Sequence, residues 1–134
     1  MAAAGYSGTP LAKKLGLKQG LALWCAGMPD SVAGEIADAG HDLLPEPVAG
    51  MDGAHIFVTE AAQMAALLTQ LRHQIASNGF VWVSWPKKAA KVPTDITEDT
   101  IRAIALPMGW VDIKVCAVDA VWSGLKLVIR KELR

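Results

Sequence analysis

The 134-residue chain has no excess of either charge, since thirteen lysines and arginines are balanced by thirteen aspartates and glutamates. A neutral chain raises no long-range field to gather a polyanion, so nucleic-acid binding is not expected, and nothing in the net charge opposes self-association. Cysteine is scarce as well. Cys25 and Cys116 lie far apart in two apolar, strand-like runs with no Cys-x-x-Cys spacing, which points to buried free thiols of a reducing compartment and away from a disulfide framework or a redox pair. No apolar run approaches the ~20 residues needed to span a bilayer. The opening MAAAGYSGTP has no cationic leader ahead of an apolar core, so neither a membrane segment nor a signal peptide is expected, and the expected location is the cytoplasm. No three of His, Cys, Asp and Glu recur at a ligand-like spacing, which leaves no metal site, and no motif calls for a cofactor. With 52% apolar and 19% charged residues, the chain is too apolar to be disordered.

One domain's length remains, enough to bury roughly two-thirds of the unfolded surface without disulfides or metal. Residues 1 to 8 are small and glycine-containing and are expected to be flexible, with a single α/β domain over 9 to 134. Thr9-Pro10 has the form of an N-cap followed by proline at the first helical position, opening a short helix that Gly16 stops. Leu21 to Cys25 is an apolar strand, followed by a turn at Ala26 to Asp30 and a helix over about Ser31 to Ala39 that Gly40 ends. The prolines and Gly50 between His41 and Gly53 allow at most a short edge strand. Ala54 to Val58 is the next strand. Thr59 caps a helix running to about Ser77, whose stripe of Met64, Leu67, Leu68, Leu71 and Ile75 recurs at helical period. Asn78-Gly79 is expected to close that helix in the left-handed conformation. Later, Asp95 with Glu98 three places on reads as the start of another helix. WVDIKVCAV and VWSGLKLVIR then form an antiparallel pair, with Val111, Ile113, Val115 and Ala117 alternating with polar residues, and Ser123-Gly124 marks a bulge or a close backbone approach. The terminal strand reads as an exposed edge guarded by Lys126 and Arg130.

The chain is organised around GFVWVSWPKK, Gly79 to Lys88. Phe80 to Val83 has the composition of a strand covered on both faces, and Pro86, lacking an N–H, is expected to stop its pairing. Alternating strands and helices demand right-handed crossovers and hence a mainly parallel sheet, a Rossmann-like three-layer sandwich closed by a C-terminal antiparallel hairpin. Ligands of such sheets sit at the carboxyl ends of the strands. Ser84, Trp85, Lys87, Lys88 and Asp95 therefore form the candidate binding set, in which an indole stacks on a ring while an ammonium contacts an anion. The turn after the first strand has only Gly27, and Pro29 removes a donor, so it lacks the three spaced glycines of a dinucleotide fingerprint. His41, His55 and His73 are read as packed or surface residues, and no catalytic residue is assigned.

The helix-to-strand passage LRHQIASNGFVWVSW and the closing hairpin resemble the later part of the Rossmann-like methyltransferases that use S-adenosylmethionine. That resemblance implies a glycine-rich loop after the first strand and an acidic residue ending the second to hold the ribose. Asp30 comes too early for that role, and Glu46 lies in the proline-rich loop. The segments GYSGTPLAKKLGL, HIFVTE, WVSWPKKAAKVPTDITEDTIR and VDIKVCAVDAVWSGLKLVIRKELR resemble a bacterial family known only as a domain of unknown function, which implies no activity. The function expected is thus a noncatalytic module that binds a small anionic or nucleotide-like ligand, or a protein partner, at the strand ends. The alternative is a reduced methyltransferase-like enzyme. A homodimer is compatible with either.

Overall fold

The computed structural model describes residues 9 to 134, and the segment expected to be flexible, 1 to 8, lies outside the described residues. Among these described residues six strands form one sheet: β1 (Ala22–Ala26), β2 (Asp42–Leu44), β3 (Met51–Phe57), β4 (Ile75–Pro86), β5 (Trp110–Ala117) and β6 (Trp122–Ile129), in the order β2-β1-β3-β4-β6-β5. The first four in that order are mutually parallel, and β6 runs antiparallel to both β4 and β5. Among the described residues four α-helices cover the sheet: α1 (Leu11–Lys14), α2 (Asp30–Ile36), α3 (Ala61–Gln74) and α4 (Glu98–Ala105). The Rossmann-like sandwich with a mainly parallel sheet is therefore present.

Each face of the sheet has its own core. Leu23, Phe57, Phe80 and Trp82 pack with Leu11 and Leu15 around α1 and with Val32 and Ile36 of α2. On the other face Ile56, Val81, Val83 and Trp85 meet Met64, Leu68 and Leu71 of α3 and Ile101 of α4. Of the expected stripe, Met64, Leu68 and Leu71 are core, Leu67 is partly buried against it and Ile75 is the first residue of β4, and each fully buried side chain of this kind stabilises the fold by about 1.5–3 kcal/mol. Trp82, fully buried, donates from Nε1 to the Leu15 carbonyl at 2.9 Å, which joins the short α1 segment to the centre of the sheet.

Several local expectations need correction. Thr9 makes no cap, because Pro10 occupies the N-cap position of α1 without a side-chain hydrogen bond. Helix α3 ends at Gln74, not near Ser77, and Asn78-Gly79 is strand instead of cap. The Gln74 carbonyl accepts from Gly50 N at 2.7 Å, so the end of the helix is drawn directly into the β3–β4 pairing. Gly79 is required for a different reason: a Cβ there would lie 2.6 Å from the Asp52 carbonyl oxygen and 2.7 Å from Ile75 Cγ1, beside the register shift between Met51 and Gly53. Helix α4 starts at Glu98 behind Thr97, whose hydroxyl and that of Thr100 form a reciprocal capping box. Asp95 instead caps α3, its Oδ1 accepting from Ala61 N at 2.7 Å.

The edge strand is β5, with the terminal β6 inserted between it and β4. Ile113 and Val115, which alternate with polar residues on this edge strand, are 57% and 50% exposed. The irregularity is in β5, between Asp112 and Lys114. Gly124 marks a close approach, since a Cβ would come within 3.1 Å of Val118 Cγ2 and 3.2 Å of Trp82 Cε3. Among the described residues no helix is long and apolar enough to cross a membrane.

Candidate functional site

The sheet order singles out one place. From β1 the chain steps to β2 on one side, whereas β3 and then β4 lie on the other, so the carboxyl ends of β1 and β3 form the topological switch point where open α/β sheets bind ligands. Gly27 leaves β1 there with φ +68°, and a Cβ on it would sit 3.0 Å from the Phe57 carbonyl oxygen at the end of β3. A side chain is thus excluded both by conformation and by contact, and the exposed turn stays open. Exposed carboxylates surround this end of the sheet: Asp30 in the first turn of α2, Glu46 two residues beyond β2, and Glu60 at the N-cap of α3.

Further along the same rim stand the residues singled out from sequence, which the fold divides among different surroundings. Ser84 is fully buried on the α1–α2 side and shares a 2.6 Å hydrogen bond with His55 Nε2. Trp85 points to the opposite face and is buried beneath α3 and α4. Asp95 is exposed but engaged as the α3 cap. Lys87 is half-buried and Lys88 exposed, both just beyond the end of β4. Pro86 ends the pairing of β4 with β3, whose last bond runs from Val58 N to the Ser84 carbonyl at 3.0 Å. On the other side the ladder continues one step, with Lys87 N donating to the Val121 carbonyl at 2.7 Å. The carboxyl ends of β1, β3 and β4 therefore lie side by side, acidic at the switch point and basic beyond β4.

His55 and Ser84 are a base and a hydroxyl at hydrogen-bond distance, yet both are sealed, at 1% and 0% exposure. Phe57 stacks on the imidazole at 4.2 Å between centroids, and Trp122 meets Phe57 edge-on at 5.2 Å. Burial pushes the His55 pKa down from 6.5 to about 3, so the ring is neutral at physiological pH. The pair serves to satisfy two polar groups inside the core, and no substrate can reach it in this conformation. Cys25 and Cys116 are free thiols, but partly buried and not fully buried as expected, with burial pushing Cys25 up to about 12. β3, β4 and β6 lie between their strands, so about 19 Å of sheet separates them. Among the described residues no cluster of His, Cys, Asp and Glu could hold a metal ion.

The switch point could not be located from sequence, because strand order is a tertiary property. Its visible signal was the single Gly27 and the nearby Glu46.

Solved structures share this architecture. The chain is similar to an S-adenosylmethionine-dependent methyltransferase from Aquifex aeolicus, with 13% identity and a TM-score of 0.66 over 89% of this chain and 87% of that one. It is also similar to a TehB-like S-adenosylmethionine-dependent methyltransferase from Corynebacterium glutamicum, with 11% identity and a TM-score of 0.60 over 95% and 91% of the two chains. A third likeness is to fibrillarin from Aeropyrum pernix with natively bound S-adenosylmethionine, at 14% identity and a TM-score of 0.54 over 90% and 69%. No family model and no curated protein sequence matches the chain. At these identities the likeness is one of fold.

Proposed function

We propose that this chain is a small methyltransferase-type domain that binds S-adenosylmethionine at the carboxyl ends of β1, β2 and β3. The observation that carries the reading is the switch point itself, with an open glycine turn after β1 and a carboxylate shortly after β2, in a fold whose solved neighbours include S-adenosylmethionine-dependent methyltransferases. Strand β2 ends at Leu44, so Glu46 lies close to where the methyltransferase resemblance expects an acid for the ribose hydroxyls. Asp30, Glu46 and Glu60 make this end of the rim acidic, which suits a ligand carrying a sulfonium and an ammonium. The same feature disfavours a nucleotide: Pro29 offers no N–H, and Asp30 occupies the helix start that a phosphate would need. The residues present fit the cofactor on charge and on backbone openness.

When bound, S-adenosylmethionine supplies an electrophilic methyl group. The chain's own contribution is to hold the nucleoside with Glu46 and the Gly27 turn, and to leave the acceptor the space toward β4. Lys87 and Lys88 are then placed to attract an acidic methyl acceptor, with Ser84, Trp85 and Asp95 fixing the backbone behind them. A second reading rests on those same lysines, which have no carboxylate partner among the described residues: a noncatalytic module that binds an anionic ligand at the end of β4.

Calorimetric titration with S-adenosylhomocysteine separates the two. The methyltransferase reading expects saturable heat that Glu46→Ala weakens roughly 10- to 100-fold, the worth of a charge-assisted hydrogen bond. Absence of heat, together with binding of an anion that Lys87→Ala/Lys88→Ala abolishes, would establish the second reading.

A further inference from the structure

A cavity opens at the other end of the sheet, away from the proposed cofactor rim. It has a volume of about 380 Å³ and is lined by Gly16, Lys18, Leu21, Asp52, Asn78 and Lys126 among others. Leu21 immediately precedes β1, Asp52 is the second residue of β3, and Asn78 lies in the first part of β4. These are the amino ends of the parallel strands. The size is that of a small-molecule site.

Lys126 is the unusual residue there. It is half-buried in β6, an interior strand, and its Nζ lies 4.8 Å from the Phe80 ring centroid and 5.9 Å from that of Trp82. Those ring faces hold the ammonium in a partly desolvated place but do not neutralise it. Among the described residues it has no carboxylate partner. Directly across the β5–β6 ladder stands Lys114, a like charge at a position where opposite charges would be stabilising. Lys114 is itself tied away, donating from Nζ to the Lys14 carbonyl at 3.2 Å. Burial, with Lys114 adding to it, depresses the pKa of Lys126. Lys18 adds a further cation, exposed at the cavity mouth, while the lone carboxylate in the lining, Asp52, is engaged through Oδ2 by the Ala22 N–H at 2.8 Å. Gly16 borders the ammonium closely, since a Cβ built there would touch Nζ at 3.4 Å, so the absence of a side chain leaves that space to the cavity.

An unpaired, half-buried ammonium facing a cavity, with a like charge across the strand, is a site that an anion would complete. We propose that this cavity binds a small ligand through a phosphate or carboxylate group, held by Lys126 Nζ and Lys18 with the Asn78 side-chain amide beside them. Phe80 is buried and already covered by Lys126, so the ring is not a platform for a base, and recognition is of the anionic group.

The test is a titration of the full chain, carrying isotope-labelled lysines, with inorganic phosphate and separately with succinate, read by NMR at the lysine side chains. Saturable movement of the Lys126 signal with one probe or both is expected, and which probe acts distinguishes a phosphate site from a carboxylate site. Lys126→Met keeps the apolar stem over the rings and should weaken binding at least about tenfold, the cost of one lost charge-assisted contact. Lys18→Ala, at an exposed position, should weaken it a few-fold, and Lys87→Ala/Lys88→Ala at the opposite rim should leave it unchanged. No movement of Lys126 at tens of millimolar of either probe would overturn the proposal. So would equal weakening by the Lys87 and Lys88 substitutions, which would mean nonspecific surface charge. If Lys126→Met does not fold, the wild-type Lys126 response and the Lys18→Ala variant decide the matter alone.

Discussion

Stability should fall with acidification, with a contribution from His55 that can be isolated. The imidazole is 1% exposed and its pKa drops from 6.5 to about 3 because burial penalises the charged ring. The unfolded chain takes up a proton at this residue below about pH 6.5, whereas the folded chain does not until about pH 3, so acid favours the unfolded state throughout that window. Stability from this group is fully present above the upper limit and declines by about 1.4 kcal/mol per pH unit below it. Between pH 7 and pH 5 the unfolded pKa is passed by 1.5 units, a loss of about 2 kcal/mol from His55 alone. Urea unfolding at the two pH values measures it. Carboxylates contribute equally in wild type and in His55→Gln, so the difference between their pH slopes isolates the histidine. His55→Gln should be less stable at pH 7 but lose about 2 kcal/mol less on going to pH 5. Identical slopes in the two proteins would refute the assignment of a neutral, sealed imidazole. Ser84→Ala leaves Nε2 without its partner and should cost about 1–3 kcal/mol at neutral pH.

Other parts of the structure make separate demands. Gly53→Ala would drive a Cβ to 2.5–2.8 Å from Phe80 ring atoms, and the expected loss of about 1–3 kcal/mol should shrink when Phe80→Leu is added; additive losses in the double variant would contradict the contact. Asp95→Ala removes the cap on α3 and should lower stability by about 1 kcal/mol in thermal unfolding, and no change would mean that the Ala61 N–H finds water equally well. Cys25, its thiol pushed up to about 12 by burial, should react slowly with a disulfide reagent at pH 8 and much faster in urea. Rapid labelling of the folded protein would place the thiol at the surface.

The sequence carried the alternation of elements well because it is written in local terms. Apolar runs such as Phe80 to Val83, the helical stripe of α3 and the glycine stops gave the strands, the helices and the parallel sheet. Boundaries failed where tertiary contacts override local preference. Asn78-Gly79 has the composition of a helix cap, but Gly50 takes the Gln74 carbonyl and pulls the chain into the sheet four residues earlier. Asp95 and Glu98 look like the start of their own helix, but Asp95 serves α3, 34 residues back in the chain. The pairing of β6 between β4 and β5 is equally invisible in sequence, and with it go the exposure of Ile113 and Val115 and the placing of Lys126 over two rings. The candidate rim was legible in outline, because prolines and lysines after a strand mark its end. Its centre was not, since the switch between β1 and β3 exists only once the strands are ordered.

The most direct measurement is an amide NMR titration of the isotope-labelled chain with S-adenosylhomocysteine. A nucleoside seated at the switch point should shift Gly27, Met28, Glu46 and Thr59 progressively and to saturation, while Lys126 and Asn78 at the far end of the sheet stay fixed. Unmoved signals at Gly27 and Thr59, or shifts confined to the far end, would contradict a cofactor site at the carboxyl ends of β1 and β3.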